Sequence, residues 1–262
     1  MKANPSRPKI QQGGSSTKKK TGTRQQNVES SILVVGDDSL VAEYSAVISA
    51  HHFQLLSPEK IKSLKAFAKK VSLAIELSNL NLEQKKKNLI LLDAALPATT
   101  AILSSSVTVS VLEQTEWITL KHRLAGIAAL PSLLQNSLVE VAPSVHTLEA
   151  TMEVVKKFFA SLGKEIAIVQ DRAGLVLPRI LCQIINEAMF AVQTSVASPG
   201  DIDTAMKLGT NYPLGPIEWG EKIGFDQVHA TLDALFNDMH EERYRACPLL
   251  KQLAVTGKFW SK

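Results

Sequence analysis

Ala197-Ser198-Pro199-Gly200-Asp201-Ile202-Asp203-Thr204-Ala205-Met206-Lys207-Leu208-Gly209 runs on through Asn211-Tyr212-Pro213-Leu214-Gly215-Pro216-Ile217-Glu218-Trp219. Ser198 suits a helix N-cap, and Asp201, three residues on, is placed to bond back to the Ser198 N–H as a short capping box. Pro199 falls at the first helical position, where its missing N–H costs nothing. Ile202, Ala205, Met206 and Leu208 supply an apolar stripe, and Gly209 supplies a stop. Tyr212-Pro213 and Gly215-Pro216 punctuate a loop before the next helix. On periodicity alone the stretch reads as two helices and a turn in an all-α domain.

The chain on its N-terminal side has another character. Ser31 to Gly36 reads as a buried strand ending at a glycine, Ser39 to Ala50 as a helix, and Phe53 to Leu56 as a second strand, a βαβ opening that suits a dinucleotide-type sheet. A lysine-rich helical stretch is expected from about 61 to 80, and Asn88 to Asp93 reads as a further buried strand. Segments 101–106, 123–128 and 137–142 look like later strands. Thr147 to Leu162 is an amphipathic helix, with Thr147 to cap it and Gly163 to stop it. Segment 165–169 is a last strand, and everything from Ala173 reads helical. The expected plan is a tail over 1–30, an α/β domain over 31–170 and an all-α domain over 171–262.

The 197–219 stretch resembles the substrate-domain signature of 3-hydroxyacyl-CoA dehydrogenases, A-S-x-x-D-I-D-x-A-M-x-x-G-x-x-x-P-x-G-P-x-E. Three further segments resemble that family: Gly126 to Pro131 its G-x-H-F-F-N-P stretch, Leu138 to Val141 its L-V-E-V, and Asp171 to Arg179 its D-x-x-G-F-V-x-N-R. They align with no insertion or deletion between Val107 and Arg179. The resemblance implies a truncated Rossmann-like α/β domain followed by a helical substrate and dimerisation domain. Two departures are expected: no helix between the 88–93 strand and the next, and a C-terminus short of the family's G-x-G-F-Y tail.

The chemistry implied by the resemblance is largely absent. A dinucleotide turn needs three glycines, for a tight turn, for approach of the pyrophosphate and for helix–strand packing. Here Gly36 remains, while Asp38 and Val41 replace the others, and two aspartates at an anion site repel the ligand. The second strand ends without the acid that would hold a ribose. By resemblance the catalytic positions fall at Ala128 for the His general base, Glu140 for its orienting Glu, Val107 for Ser and Pro178 for Asn. Alanine accepts no proton, and the chemistry needs a base to take the hydroxyl proton as hydride leaves. Pro178 fits a first helical turn but not an amide's role. Glu140 is the one retained position. No histidine pairs with a carboxylate at a telling spacing, and no cluster has metal-ligand spacing.

The expectation is therefore a family member without hydride transfer, serving as a binding or assembly module, with no cofactor. The alternative is an active NAD-dependent oxidoreductase on 3-hydroxyacyl-CoA in fatty acid metabolism. Acyl-CoA is a candidate ligand. A homodimer is expected through residues 180–250, near Ile202 or Phe225, because Met189, Phe190, Val192, Ile202, Met206, Ile217, Trp219, Ile223, Phe225 and Leu235 exceed what about 90 residues bury alone.

Bulk properties narrow the partners. The net charge of +4 over 262 residues divides unevenly: seven basic residues against Glu29 in 1–30, and 22 basic against 24 acidic in the rest. The body is thus slightly acidic, which argues against nucleic acid as a partner. Residues 1–30 are too polar to order themselves, and are read as a basic tail, with a polyanion-binding arm or transit peptide as alternatives. No apolar run suits secretion or a membrane span. Two cysteines, Cys182 and Cys247, make no disulfide framework and suit a cytoplasmic protein.

Overall fold

The computed structural model describes residues 31–50, 54–56 and 68–257; the basic tail lies outside them. A seven-stranded sheet is built from β1 (Ser31–Gly36), β2 (Gln54–Leu56), β3 (Val71–Leu77), β4 (Ala101–Ser105), β5 (Leu124–Ile127), β6 (Leu138–Pro143) and β7 (Glu165–Ile168), in the order β2-β1-β3-β4-β5-β6-β7. Neighbours pair in parallel except β5 with β6. Helices α1 (Asp38–Ala50), α2 (Leu82–Ala95), α3 (Val111–Thr115) and α4 (Glu149–Ser161) flank the sheet. Five more follow: α5 (Leu177–Gln193), α6 (Pro199–Thr210), α7 (Pro216–Ile223), α8 (Phe225–Met239) and α9 (Pro248–Thr256). This is a Rossmann-like α/β unit followed by helices, the fold expected. No helix among the described residues is long and apolar enough to cross a membrane.

Strand periodicity builds both faces of the sheet. Ile32 and Val34 join Leu40, Tyr44, Val155 and Phe159 in one core, while Leu33 and Val35 join Leu89, Leu92 and Val111 in the other. A third core holds the helices together through Leu181, Ile185, Met189, Val228, Leu232 and Leu250, and takes in Val107 and Leu130 from the sheet side. Each such side chain fully buried contributes roughly 1.5–3 kcal/mol.

One expectation fails outright. Asn88 to Asp93 is not a strand; it lies inside α2, and the strand is Val71–Leu77, in the stretch expected to be helical. The helix expected to be missing is therefore present. Leu89 and Leu92 are buried while Ile90 and Leu91 are exposed, a helical period hidden in an apolar run. Asn81 caps α2 by accepting the Gln84 N–H at 2.9 Å.

Smaller corrections concern helix ends. Thr147 does not cap α4; its hydroxyl accepts the Ser144 N–H and donates to the Leu124 carbonyl, and Leu148 takes the cap position. Helix α6 stops at Asn211, at φ +57°, rather than at Gly209. Ser198 caps α6 as expected, but Asp201 accepts from the Ser198 hydroxyl, at 2.6 Å, rather than from its N–H.

Asp203 explains much of the signature stretch. Its carboxylate leaves α6, on which it is the buried residue, and accepts the Ile217 and Glu218 N–H groups at the start of α7, at 2.8 and 3.2 Å. A Cβ on Gly215 would stand inside that carboxylate. Glu218 reaches back to the Gly215 N–H at 2.9 Å and pairs with Lys207 at 2.6 Å, and these contacts, Lys207 first, hold its carboxyl below the usual range. The stretch is a device for joining two helices.

The expected dimer surface also changes. Met189, Ile217, Ile223, Phe225 and Leu235 are buried within the chain. Phe225, near which the contact was expected, packs under Gly220. Phe190, Val192, Ile202, Met206 and Trp219 stay partly exposed.

Candidate functional site

The sheet's strand order reverses between β1 and β3. In open α/β sheets a ligand lies outside the carboxyl ends of the strands at such a point. Gly36 ends β1 there with φ +140°, and a Cβ on it would come within 2.5–2.7 Å of the Leu77 backbone. Its absent side chain thus lets the end of β1 lie close against the end of β3. Asp38 is exposed in the first turn of α1, and Val41 packs against the sheet core. Asp37 precedes the helix, and its carboxylate turns away from α1. It accepts the Asn79 N–H at 2.8 Å, the Leu80 N–H at 3.2 Å and the Gln227 side-chain amide at 3.0 Å.

Below this turn lies a group that sequence reading missed. Glu76 of β3 and Lys85 of α2 form an ion pair at 2.5 Å with both side chains fully buried. Lys85 also donates to the Ser78 carbonyl, while Asn88 and Ser104 donate to Glu76. The Asn81-x-x-Gln84 pattern would have signalled the helix that carries Lys85; nothing in sequence announces that a lysine nine residues from a glutamate is buried with it.

Of the positions assigned by resemblance, Ala128, just beyond β5, and Glu140, within β6, come together. The Ala128 N–H donates to the Glu140 carbonyl at 3.1 Å, and both residues line one chamber of about 330 Å³ with Tyr44, Leu134 and Val139. An adjoining chamber of about 450 Å³ is lined by Ile180, Ile184, Tyr212, Pro213, Trp219 and Lys222; the two share Leu133, Asn136 and Leu177. Among the described residues, no histidine lines either chamber. His229 lies 3.4 Å from Asp233 one turn along α8, a pairing the sequence reading passed over.

Glu140 is committed elsewhere. Its two carboxylate oxygens accept the Val176 and Leu177 N–H groups at 2.9 and 2.8 Å, at the N-terminus of α5. It stands inside β6 rather than at its end. Pro178 follows in the first turn of α5, where a proline is tolerated. Val107 lies beyond the end of β4, fully buried, with its carbonyl accepting the Gly174 N–H at 2.8 Å. Asp171 behaves like Glu140: it accepts the Val111 and Leu112 N–H groups, both at 2.7 Å, at the start of α3. Burial pushes the Asp171 carboxyl above its ordinary range, and those N–H groups pull it part of the way back. Gly126 gives room to Ser106 and Val111, against which a Cβ would collide.

Comparison with known proteins fits this geometry. The family model for the 3-hydroxyacyl-CoA dehydrogenase NAD binding domain matches residues 42–172, beginning just after the altered turn at 36–41. The model for the C-terminal domain of the same family matches residues 174–262. The 3-hydroxybutyryl-CoA dehydrogenase of Bradyrhizobium diazoefficiens is 30% identical over 204 residues, covering 78% of this chain and 68% of that protein. Among solved structures, (S)-3-hydroxybutyryl-CoA dehydrogenase PaaH1 from Ralstonia eutropha superposes with a TM-score of 0.67 at 25% identity, over 87% of this chain and 86% of that one. FadB2 of M. tuberculosis shares the fold, with a TM-score of 0.70 at 20% identity, over 86% of this chain and 85% of that one.

Proposed function

Because the chain belongs to the 3-hydroxyacyl-CoA dehydrogenase family, we propose that it is a member without hydride transfer, acting as a binding and assembly module. The observation that carries this reading is the chamber at Ala128. The position that resemblance gives to a general base holds a methyl group, and both oxygens of Glu140 are spent on the start of α5. A positioned base contributes about 10²–10⁴-fold to such a reaction, and among the described residues no histidine lines the cleft. The turn at 36–41 supports the same reading. Asp38 brings a carboxylate to the place where a pyrophosphate would need N–H donors and positive potential, and the Asp37 carboxylate, bound to Asn79, Leu80 and Gln227, lies beside it. A dinucleotide does not fit that turn.

The cleft keeps the features of a ligand site: two adjoining chambers, walls of Leu, Ile and Trp, and Lys222 as a cation. We assign it an acyl-CoA type of ligand held without oxidation. Assembly is assigned to a homodimer through the helical part. Helix α6 buries only Asp203 within the chain, leaving Ile202 and Met206 partly exposed and Leu208 exposed, an apolar face of the kind that marks a contact.

The test uses purified full-length protein. NADH fluorescence titration is expected to show no saturation below millimolar concentration, and (S)-3-hydroxybutyryl-CoA with NAD is expected to give no turnover above background. Light scattering is expected to give twice the 28.5 kDa chain mass. The second reading, an active NAD-dependent oxidoreductase, draws on the match to the NAD binding domain model; saturable NADH binding with turnover would establish it and end the first.

A further inference from the structure

We infer that the crevice at the switch point is filled by the chain itself: Gln227 of α8 is clasped between Asp37 and Asn79, tying the helical part to the strand ends where a dinucleotide would otherwise lie. The inference deepens the reading above, which it uses only to place the crevice.

Four strand ends contribute. Asp37 follows β1, Asn79 follows β3, Ser105 ends β4, and Ala129 follows β5. The Asn79 side-chain amide donates to the Ala129 carbonyl at 2.7 Å and to the Gln227 side-chain oxygen at 2.9 Å. Its oxygen accepts the Ser105 hydroxyl at 2.6 Å. The Gln227 amide donates to Asp37 at 3.0 Å, and the Asn79 N–H donates to the same carboxylate oxygen at 2.8 Å. Asp37, Asn79 and Gln227 thus form a closed ring of bonds between residues far apart in sequence. Asn79, Ser105 and Gln227 are all buried.

Every member of the ring is engaged, so an entering ligand meets donors already committed to the chain. A phosphate would have to break bonds to a carboxylate, which are the stronger kind, and would then face that carboxylate. Buried networks of this sort are costly to leave half-satisfied and therefore rigid when complete. Asp37, Asn79 and Gln227 serve here as positioning residues. The clasp fixes α8 against the sheet without any bound molecule.

Hydrogen exchange on the native protein, with no nucleotide present, tests this directly. The Asn79 and Leu80 N–H groups lie beyond the end of β3, beside an exposed Leu80 side chain. They are expected to exchange within about tenfold of the β3 core amides. In Gln227→Leu and in Asp37→Ala the same two groups are expected to exchange at least about tenfold faster, beyond any change that urea unfolding gives for the whole chain. Native exchange at open-loop rates would overturn the clasp, as would acceleration spread evenly along the chain in both variants. If neither variant folds, the native comparison decides. Open-loop exchange of both groups in the native protein, without NADH binding, would overturn the clasp alone. NADH binding with both groups still protected would overturn the proposed function together with the claim that the clasp fills the crevice.

Discussion

The 197–219 stretch and the strand-end crevice differ in what their residues are for. In the first, each distinctive residue ends or joins a helix: Ser198 caps α6, Asp203 caps α7 from a distance, and Gly215 makes room for Asp203. In the second, side chains at 37, 79 and 227 close a ring over the sheet. The contrast teaches that a signature can be kept for mechanical reasons that are separate from the chemistry it accompanies. Glu140 links the two regions, since it stands at a position that resemblance gives to catalysis and does the work of a cap.

The sharpest test of the contrast lies under the crevice. Lys85→Met leaves the buried Glu76 carboxyl without its cation, and is expected to lower stability by about 3–5 kcal/mol. The double replacement Glu76→Leu with Lys85→Met is expected to recover a large part, because the desolvation of both charges is removed with their attraction. Urea unfolding of the two variants measures this. A loss below about 1 kcal/mol for Lys85→Met would mean the crevice floor is as tolerant as a surface, and the contrast with the signature stretch would fail.

The signature stretch is expected to respond less, but at one defined place. Asp203→Ala removes the acceptor of two N–H groups at the start of α7, and caps of this type contribute about 0.5–2 kcal/mol. Asp38→Ala, an exposed residue at the altered turn, is expected to change stability within experimental error. Equal effects at the two positions would erase the distinction between the helix-joining stretch and the turn at 36–41.

Most of the fold was legible because its signals are local. The continuous apolar run of β1, the Ser198 cap and the helical pattern of α4 each declare themselves within a few residues. The misreading of Asn88 to Asp93 has the same origin in reverse. The five residues Asn88 to Leu92, without a charged interruption, carry no visible period until burial shows Leu89 and Leu92 inside, and Lys69, Lys70 and Glu76 made the true strand look like part of a polar helix. The candidate site was legible by position only. Ala128 and Glu140 do meet in one chamber, yet the partners of Glu140 lie 36 and 37 residues away. The clasp was not legible at all, since Asp37 and Gln227 are 190 residues apart and an amide in a helix carries no mark of its partner.

The smallest effect expected to be resolved lies beside the cleft, where a carboxylate holds a loop much as Asp203 holds α7. Glu43 of α1 accepts the Ser132 N–H at 2.7 Å, and Ser132 sits at φ +72°, a left-handed conformation unusual for serine. Burial pushes the Glu43 carboxyl above its ordinary 4.5, while the Ser132 N–H and the charges of Lys222 and Lys164 pull it part of the way back. The raised value fixes the sign. The folded state favours the protonated acid, so the stability it contributes is fully present below the ordinary value and is lost as pH rises through the folded one. Glu43→Gln keeps an acceptor for Ser132 and removes the titration. The variant and the native protein should therefore be matched most closely in acid, with the variant gaining relative stability as pH rises and holding a constant small lead at neutral pH. Urea midpoints from about pH 3.5 to about pH 7.5 follow the difference. A native protein that becomes the more stable of the two as pH rises would show that Glu43 holds the loop through its charge, and would place it with the buried ion pair rather than with the caps.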